Sequence, residues 1–205
     1  GTLQSLLISL TATLLALSVG LILGAVAGYF RGWTDEIVMA AAELFLCIPW
    51  LYLLFGVRAA LPLRLEYHEA IFALIVPLAL AGWARPARLV RGIVLSARER
   101  DYLRSARGFG ASDWYLLTRH VLPEAWQVIL IQATLLVPGY ILAEATLSYV
   151  GLGINEPNVS WGSLMIPLGR YDVMVSYWWM WLPAVFLTIT TALFYATAAT
   201  FGQSR

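Results

Sequence analysis

Residues 3–30, LQSLLISLTATLLALSVGLILGAVAGYF, run for twenty-eight positions without a charged side chain. About 20 such residues cross the hydrocarbon core of a bilayer as a helix, and at 1.5 Å per residue this run reaches roughly 42 Å. That is long enough to span with tilt. Four further apolar runs follow, at about 36–57, 68–84, 126–150 and 177–201. The chain is 60% apolar and only 12% charged, about half the charge of a water-soluble domain. So little charge cannot cover a soluble globule, so the bilayer is the expected solvent. The expected fold is all-α: a polytopic transmembrane helical bundle, a single domain over 1–205 with five spans.

The first run carries Gly20, Gly24, Ala25 and Gly28 at small-xxx-small spacing, which predicts close approach by another helix. Arg31 to Asp35 form a polar turn, and 58–67 a polar connection. Residues 85–125 hold no membrane-length run, and 151–176 are rich in Gly, Pro and Asn. Tyr177, Trp178, Trp179 and Trp181 read as an interfacial aromatic belt. All thirteen basic residues are arginine, and eight of them lie in 85–125. The positive-inside rule therefore places that segment in the cytoplasm and 58–67 and 151–176 outside. The outer segments then hold only Arg58, Arg64 and Arg170. With five spans the chain starts outside, and a further span upstream would return it to the cytoplasm. The lone Cys47 cannot form an intrachain disulfide, and the first run is not expected to be a signal peptide, since it has neither a basic n-region nor a small-residue cleavage site.

Segment 85–125 invites two readings. A charge-rich run is commonly a solvated linker. Here, however, residues 85–107 have helical composition, and Ser105 to Gly110 supply small residues at a turn. Ser112 or Asp113 can cap a new helix containing Trp114, Tyr115, Leu116 and Leu117, and Pro123 is expected to end it. Helix, glycine turn, helix, proline is a stiff knuckle, poorly suited to being a tether.

The residues "RSARGFGASDWYLLTRHVLPEA" resemble the cytoplasmic signature of inner-membrane permease subunits of binding-protein-dependent ABC importers, E-A-A-x3-G-x9-I-x-L-P. Arg104-Ser105-Ala106 falls on E-A-A, Gly110 on the glycine, His120 on the isoleucine and Leu122-Pro123 on L-P. "GWARPARLVRGIVLSARERDYLRSARGFGAS" before it and "QATLLVPGYILAEATLSYVGLGINEPNVSWGSLM" after it are similar to the dipeptide/oligopeptide/nickel branch, in particular to its second permease subunit. The resemblance implies the type I transmembrane domain, with a sixth helix upstream of Gly1. It implies a subunit that forms half of a translocation pathway for di- or oligopeptides or a related small solute. It further implies a second homologous permease, two cytoplasmic ATPase subunits that carry ATP and Mg, and an extracytoplasmic solute-binding protein, all in a bacterial or archaeal inner membrane. Carried over residue by residue, the ATPase contact falls on Arg104, Ser105, Ala106, Gly110, Ala111, Ser112 and Asp113, with Leu122 and Pro123 closing the unit. Arg104 departs from the pattern: a guanidinium stands where the family usually has a carboxylate.

Glu43 and Glu144 lie inside apolar spans, where an ionisable group usually faces a bundle interior or water. They are candidates for the path or gate, together with Pro49 and Pro138, at which the spans should break or bend. The alternative is that each carboxylate is a hydrogen-bonded packing group. In relatives the region of 151–176 faces the binding protein and the pathway mouth, which makes Asn155, Glu156, Asn158, Ser160, Trp161 and Gly162 candidates for that surface. An ordered plug packed on the partner permease is the other reading.

No catalytic or metal site emerges. His68 and His120 fall on opposite sides of the membrane and lack neighbours at ligand spacing. The serines and Cys47 lack a base partner, and a phosphate loop of the Gly-Lys-Ser/Thr type is impossible without lysine. No bound cofactor and no nucleic-acid partner is expected; lipid is the surrounding medium. A self-contained secondary transporter or channel is the alternative, but it predicts an inverted repeat that the sequence does not display.

Overall fold

The computed structural model describes residues 1–62, 66–154 and 158–203, and their regular structure is entirely helical. The helices are α1 (Thr2–Phe30), α2 (Trp33–Cys47), α3 (Trp50–Ala60), α4 (Tyr67–Gly82), α5 (Ala84–Arg98), α6 (Asp101–Gly108), α7 (Asp113–Leu116), α8 (Leu122–Tyr149), α9 (Trp161–Met165), α10 (Tyr171–Ser176) and α11 (Leu182–Gln203). Four helical stretches among the described residues are long and apolar enough to cross a membrane: Thr2–Phe30, Tyr67–Arg98, Asp113–Tyr149 and Trp178–Phe201. A fifth is added if α2 and α3 count as one broken span. The break falls at Ile48-Pro49, with Pro49 in extended conformation as the residue before α3. That is where a ring without an N–H interrupts the ladder.

Proline does not interrupt the other spans. Pro77 lies inside α4 and Pro138 inside α8, and both helices run through. Pro77 and Pro138 are both buried, in keeping with membrane helices whose packed neighbours tolerate a missing backbone bond. Nor does Pro123 end a helix. Asp113–Tyr149 is helical throughout, with a π-helical turn at Leu117–Val121 immediately before the Leu122-Pro123 pair. A helical proline clashes with the carbonyl four residues back. The Leu122 N–H bonds the Leu117 carbonyl, one residue further than α-helical spacing, and this wider turn accommodates the ring.

The chain packs as two units. The first comprises 1–14, 49–80 and 134–205. In it Ile8, Ala12, Leu54, Leu74, Leu78, Tyr140, Ala143 and Leu147 form one buried cluster. Val137, Ile141, Ala145, Trp161 and Leu187 form another. The second unit comprises 15–48 and 81–133. Its α1 portion lies directly on α5. A methyl group on Gly20 would stand 2.8 Å from the Trp83 carbonyl oxygen, one on Gly24 2.9 Å from the Ala87 Cα, and one on Gly28 2.9 Å from the Arg91 carbonyl oxygen. The helix that the small residues admit is therefore α5 of the same chain. The buried face of α5 is Ala84, Ala87, Val90, Val94 and Ala97, small or β-branched side chains suited to so close an approach. The turn between α1 and α2 is only two residues long, with Arg31 at φ 60 and Gly32 at φ 62.

Candidate functional site

The knuckle is built by ordinary capping chemistry. Gly110 has φ +86, and the Ala111 N–H bonds the Ala106 carbonyl, closing α6 as a Schellman turn with glycine in the left-handed position. A Cβ on Gly110 would meet nothing within 4 Å in this chain, so its backbone angle, rather than crowding, calls for glycine. Ser112 caps α7, its hydroxyl accepting from the Tyr115 N–H at 3.3 Å, and Asp113 sits in the first turn, where a carboxylate suits the helix dipole.

Ser105, Gly110, Ser112, Asp113 and Pro123 are exposed, while Ala106, Ala111 and Leu122 are half-buried. The side chain of Arg104 lies outside the described residues. Two aromatics that the motif does not include project from the turn: Phe109 is 93% exposed and Trp114 is 74% exposed. Large aromatics left open beside a glycine turn are anchors of the kind that dominate protein contacts. Their position on either side of Gly110 was the signal available in the sequence. His120, on the motif's isoleucine position, packs between the rings of Tyr102 and Tyr115 at 6.0 and 5.7 Å. It fills an aromatic slot, and the described residues hold no cluster that could bind a metal ion.

Behind the turn stands a set of polar contacts within the second unit. The Tyr29 hydroxyl donates to the Asp113 carboxylate. The Arg98 guanidinium donates to the Tyr29 carbonyl oxygen and lies 5.1 Å from the centre of its ring. Arg91 donates through Nε and Nη2 to both oxygens of Asp35. Arg100 and the Tyr102 hydroxyl both donate to Glu124 Oε1, each at 2.8 Å. Partial burial, then the bond to Glu124, pushes the Tyr102 phenol above its ordinary value, so it remains a donor at neutral pH.

The two intramembrane carboxylates have different surroundings. Glu43 is exposed on α2 and so faces out of this chain. Glu144 is 0% exposed. It accepts from Ser5 Oγ at 2.7 Å and from Ser148 Oγ at 2.6 Å, and Ser5 Oγ in turn accepts from the Trp161 N–H at 3.2 Å. In this structure Glu144 is thus a hydrogen-bonded packing group and not an open path wall.

The outer-loop candidates divide in the same way. Ser160, Trp161 and Gly162 are buried, which corrects their assignment to a free surface. Trp161 packs with Ile141, Ala145 and Leu187, a methyl on Gly162 would stand 2.7 Å from the Ala145 Cα, and Ser160 caps α9 reciprocally with Ser163. Asn158 is half-buried, while Asn155 and Glu156 lie outside the described residues. Arg58 is also corrected. Its place in a polar connection predicts exposure, yet it is 2% exposed, donating to the Leu152 carbonyl at 2.8 Å and the Pro62 carbonyl at 2.9 Å. A cation in the last turn of α3 lies where the helix leaves carbonyls open and its dipole is negative.

The arrangement to compare with known proteins is a set of membrane-length helices, one broken at Pro49, with a glycine knuckle between two of them. The chain can be superposed on the inward-facing MetNI methionine ABC transporter with a TM-score of 0.72 over 98% of this chain and 92% of that one, at 21% identity. A second crystal form of that transporter gives 0.66 at 19% identity, over the same shares. Residues 20–167 match the family described as binding-protein-dependent transport system inner membrane component, and the chain belongs to that family. It is 35% identical to the oligopeptide transport system permease protein OppC of Bacillus subtilis over 190 residues, 93% of this chain and 60% of that protein. It is 34% identical to the dipeptide transport system permease protein DppC of the same organism, over 95% of this chain and 59% of that protein. With OppC of Mycobacterium tuberculosis the identity is 34%, over 92% of this chain and 63% of the relative. The chain thus spans about 60% of the length of these curated relatives.

Proposed function

We propose that this chain is the transmembrane permease subunit of an ATP-driven importer for di- or oligopeptides. It forms half of the pathway in a bacterial or archaeal inner membrane and takes no catalytic part itself. The knuckle carries this reading. A Schellman turn at Gly110 holds Phe109 and Trp114 in the open, on a scaffold pinned by Arg98, Tyr29 and Asp113, which is the form of a docking lever. Its partners are a second, similar permease, two ATPase subunits that bind ATP and Mg, and an extracytoplasmic binding protein. Segment 85–125 then lies in the cytoplasm, with Ser105, Ala106 and Gly110 to Asp113 at the ATPase contact. Glu43, exposed in this chain and set in an apolar span, faces the pathway or the second permease, with the Pro49 break beside it.

Co-expression with ATPase subunits and purification through this chain test the proposal. An ATPase should copurify, and Gly110→Arg should abolish its retention and uptake together. A chain that transports alone would instead be a self-contained transporter or channel. Uptake of labelled dipeptide against nickel then decides the substrate.

A further inference from the structure

We infer that Tyr29 is a positioning residue for energy coupling, the point at which both arms of the knuckle are tied to the end of α1. The inference rests on the proposed docking role of the knuckle. Tyr29 is the penultimate residue of α1 and only 4% exposed. It is held at three places: its hydroxyl by Asp113, its backbone carbonyl by the Arg98 guanidinium, and its ring face by the same guanidinium. Arg98 is the last residue of α5 and Asp113 the first of α7. Everything between them, including α6, Phe109 and Gly110, is therefore a loop whose two ends meet at one side chain.

The chemistry of each contact suits a stiff joint. The Tyr29 carbonyl belongs to the last turn of α1, where backbone acceptors have no partner within the helix, and a cation there also meets the negative end of the helix dipole. The phenol-to-carboxylate bond is charge-assisted and so stronger and shorter than a neutral one. The same stretch of α1 has no slack, because Gly20, Gly24 and Gly28 lie in backbone contact with α5. A push on the turn is thus passed to α1 rather than absorbed at a loose hinge. A knuckle joined only through its own backbone would dock equally well and transmit less.

The test uses the whole complex in lipid vesicles: both permeases, the ATPases and the binding protein. Tyr29→Phe removes one oxygen and keeps the ring under Arg98. We expect unchanged yield of assembled complex and unchanged basal ATP hydrolysis. Uptake per ATP hydrolysed should fall about tenfold, the equivalent of one strong hydrogen bond. Asp113 also lies at the proposed ATPase contact, so its variants are read in assembled complex only. There Asp113→Leu should lower the ratio at least as far as Tyr29→Phe does, the double variant should be no worse than Asp113→Leu alone, and Asp113→Asn, which keeps an acceptor, should recover part of it. A normal ratio in Tyr29→Phe, additive losses in the double variant, or loss of assembly in step with uptake in Tyr29→Phe would each overturn the inference. Failure of the wild-type chain to retain any ATPase would instead overturn the docking reading, and this inference with it, before any variant is made.

Discussion

The buried carboxylate of the first unit and the carboxylates around the knuckle of the second are held in different ways. In the first unit, Glu144 is fully buried and accepts from two serine hydroxyls, one of which is itself held by the Trp161 N–H. In the second, Asp35 meets the fork of Arg91, Glu124 meets Arg100 and Tyr102, and Glu99 meets Arg31. Burial separates the two cases. A guanidinium brought to Glu144 would itself need desolvation, which can exceed the attraction it gains, whereas a serine satisfies a lone pair at little cost. The Arg31, Glu99 and Arg100 side chains are half or more exposed, so their pairing costs little desolvation and adds correspondingly little stability. The first unit is joined by a polar knot among packed helices, the second by a glycine seam with ion pairs around it.

The largest effect should come from the seam. Gly24→Leu forces a branched side chain into the Ala87 backbone, and no rotamer of leucine avoids a clash that begins at Cβ. Overpacking costs about 1–3 kcal/mol in a core that can shift and more where the obstacle is backbone, so the folded yield in detergent should collapse. Ala87→Gly in the same chain should recover little, because the obstructing atoms are those of the main chain. A Gly24→Leu protein with wild-type yield and melting temperature would show that the seam does not hold the second unit.

That seam is also where the sequence was most legible. Glycines four residues apart in an apolar run mean close helix approach whatever the partner, and the capping residues around Gly110 are equally local in their logic. The all-helical class, the Pro49 break and the turn at Arg31-Gly32 follow from composition and backbone chemistry alone. Arg58, Glu144 and the stretch Ser160 to Gly162 were not legible in this way. Each owes its environment to a residue far along the chain: Leu152 for Arg58, Ser5 for Glu144 and for Trp161. A polar residue at the end of a span looks the same in one sequence whether it meets water or a carbonyl far along the chain. Pro123 misleads for the opposite reason. Its clash is local, but so is the remedy, a π-helical turn that the sequence does not advertise.

The knot should come next in size. Glu144→Ala leaves a cavity and removes the acceptor of two buried hydroxyls, a loss on the order of 3 kcal/mol. Glu144→Gln keeps the shape and one carbonyl oxygen, and its amide can donate to a hydroxyl that turns to accept, so it should lose less than half as much. Thermal unfolding of the purified chain, compared across the two variants, measures the difference. Equal losses would mean that charge, not hydrogen bonding, is what the site requires. Because the partners are neutral, the deficit should be the same in low and high salt.

The exposed pairs should give the smallest effect and complete the contrast. Arg100→Gln breaks a 2.8 Å ion pair whose arginine is 51% exposed and whose glutamate is 28% exposed. Exposed pairs of this kind contribute about 0–1 kcal/mol. Glu124 also keeps the Tyr102 hydroxyl as a donor, so no buried acceptor is orphaned. The expected shift in melting temperature is therefore small, and it should shrink further as salt is raised from low ionic strength, because screening already weakens the wild-type pair. The Glu144 variants should show no such convergence. If Arg100→Gln costs as much as Glu144→Gln and resists salt, the pair is shielded from water in the working assembly. The region of α6 and the start of α8 would then be an interface surface rather than a solvated one.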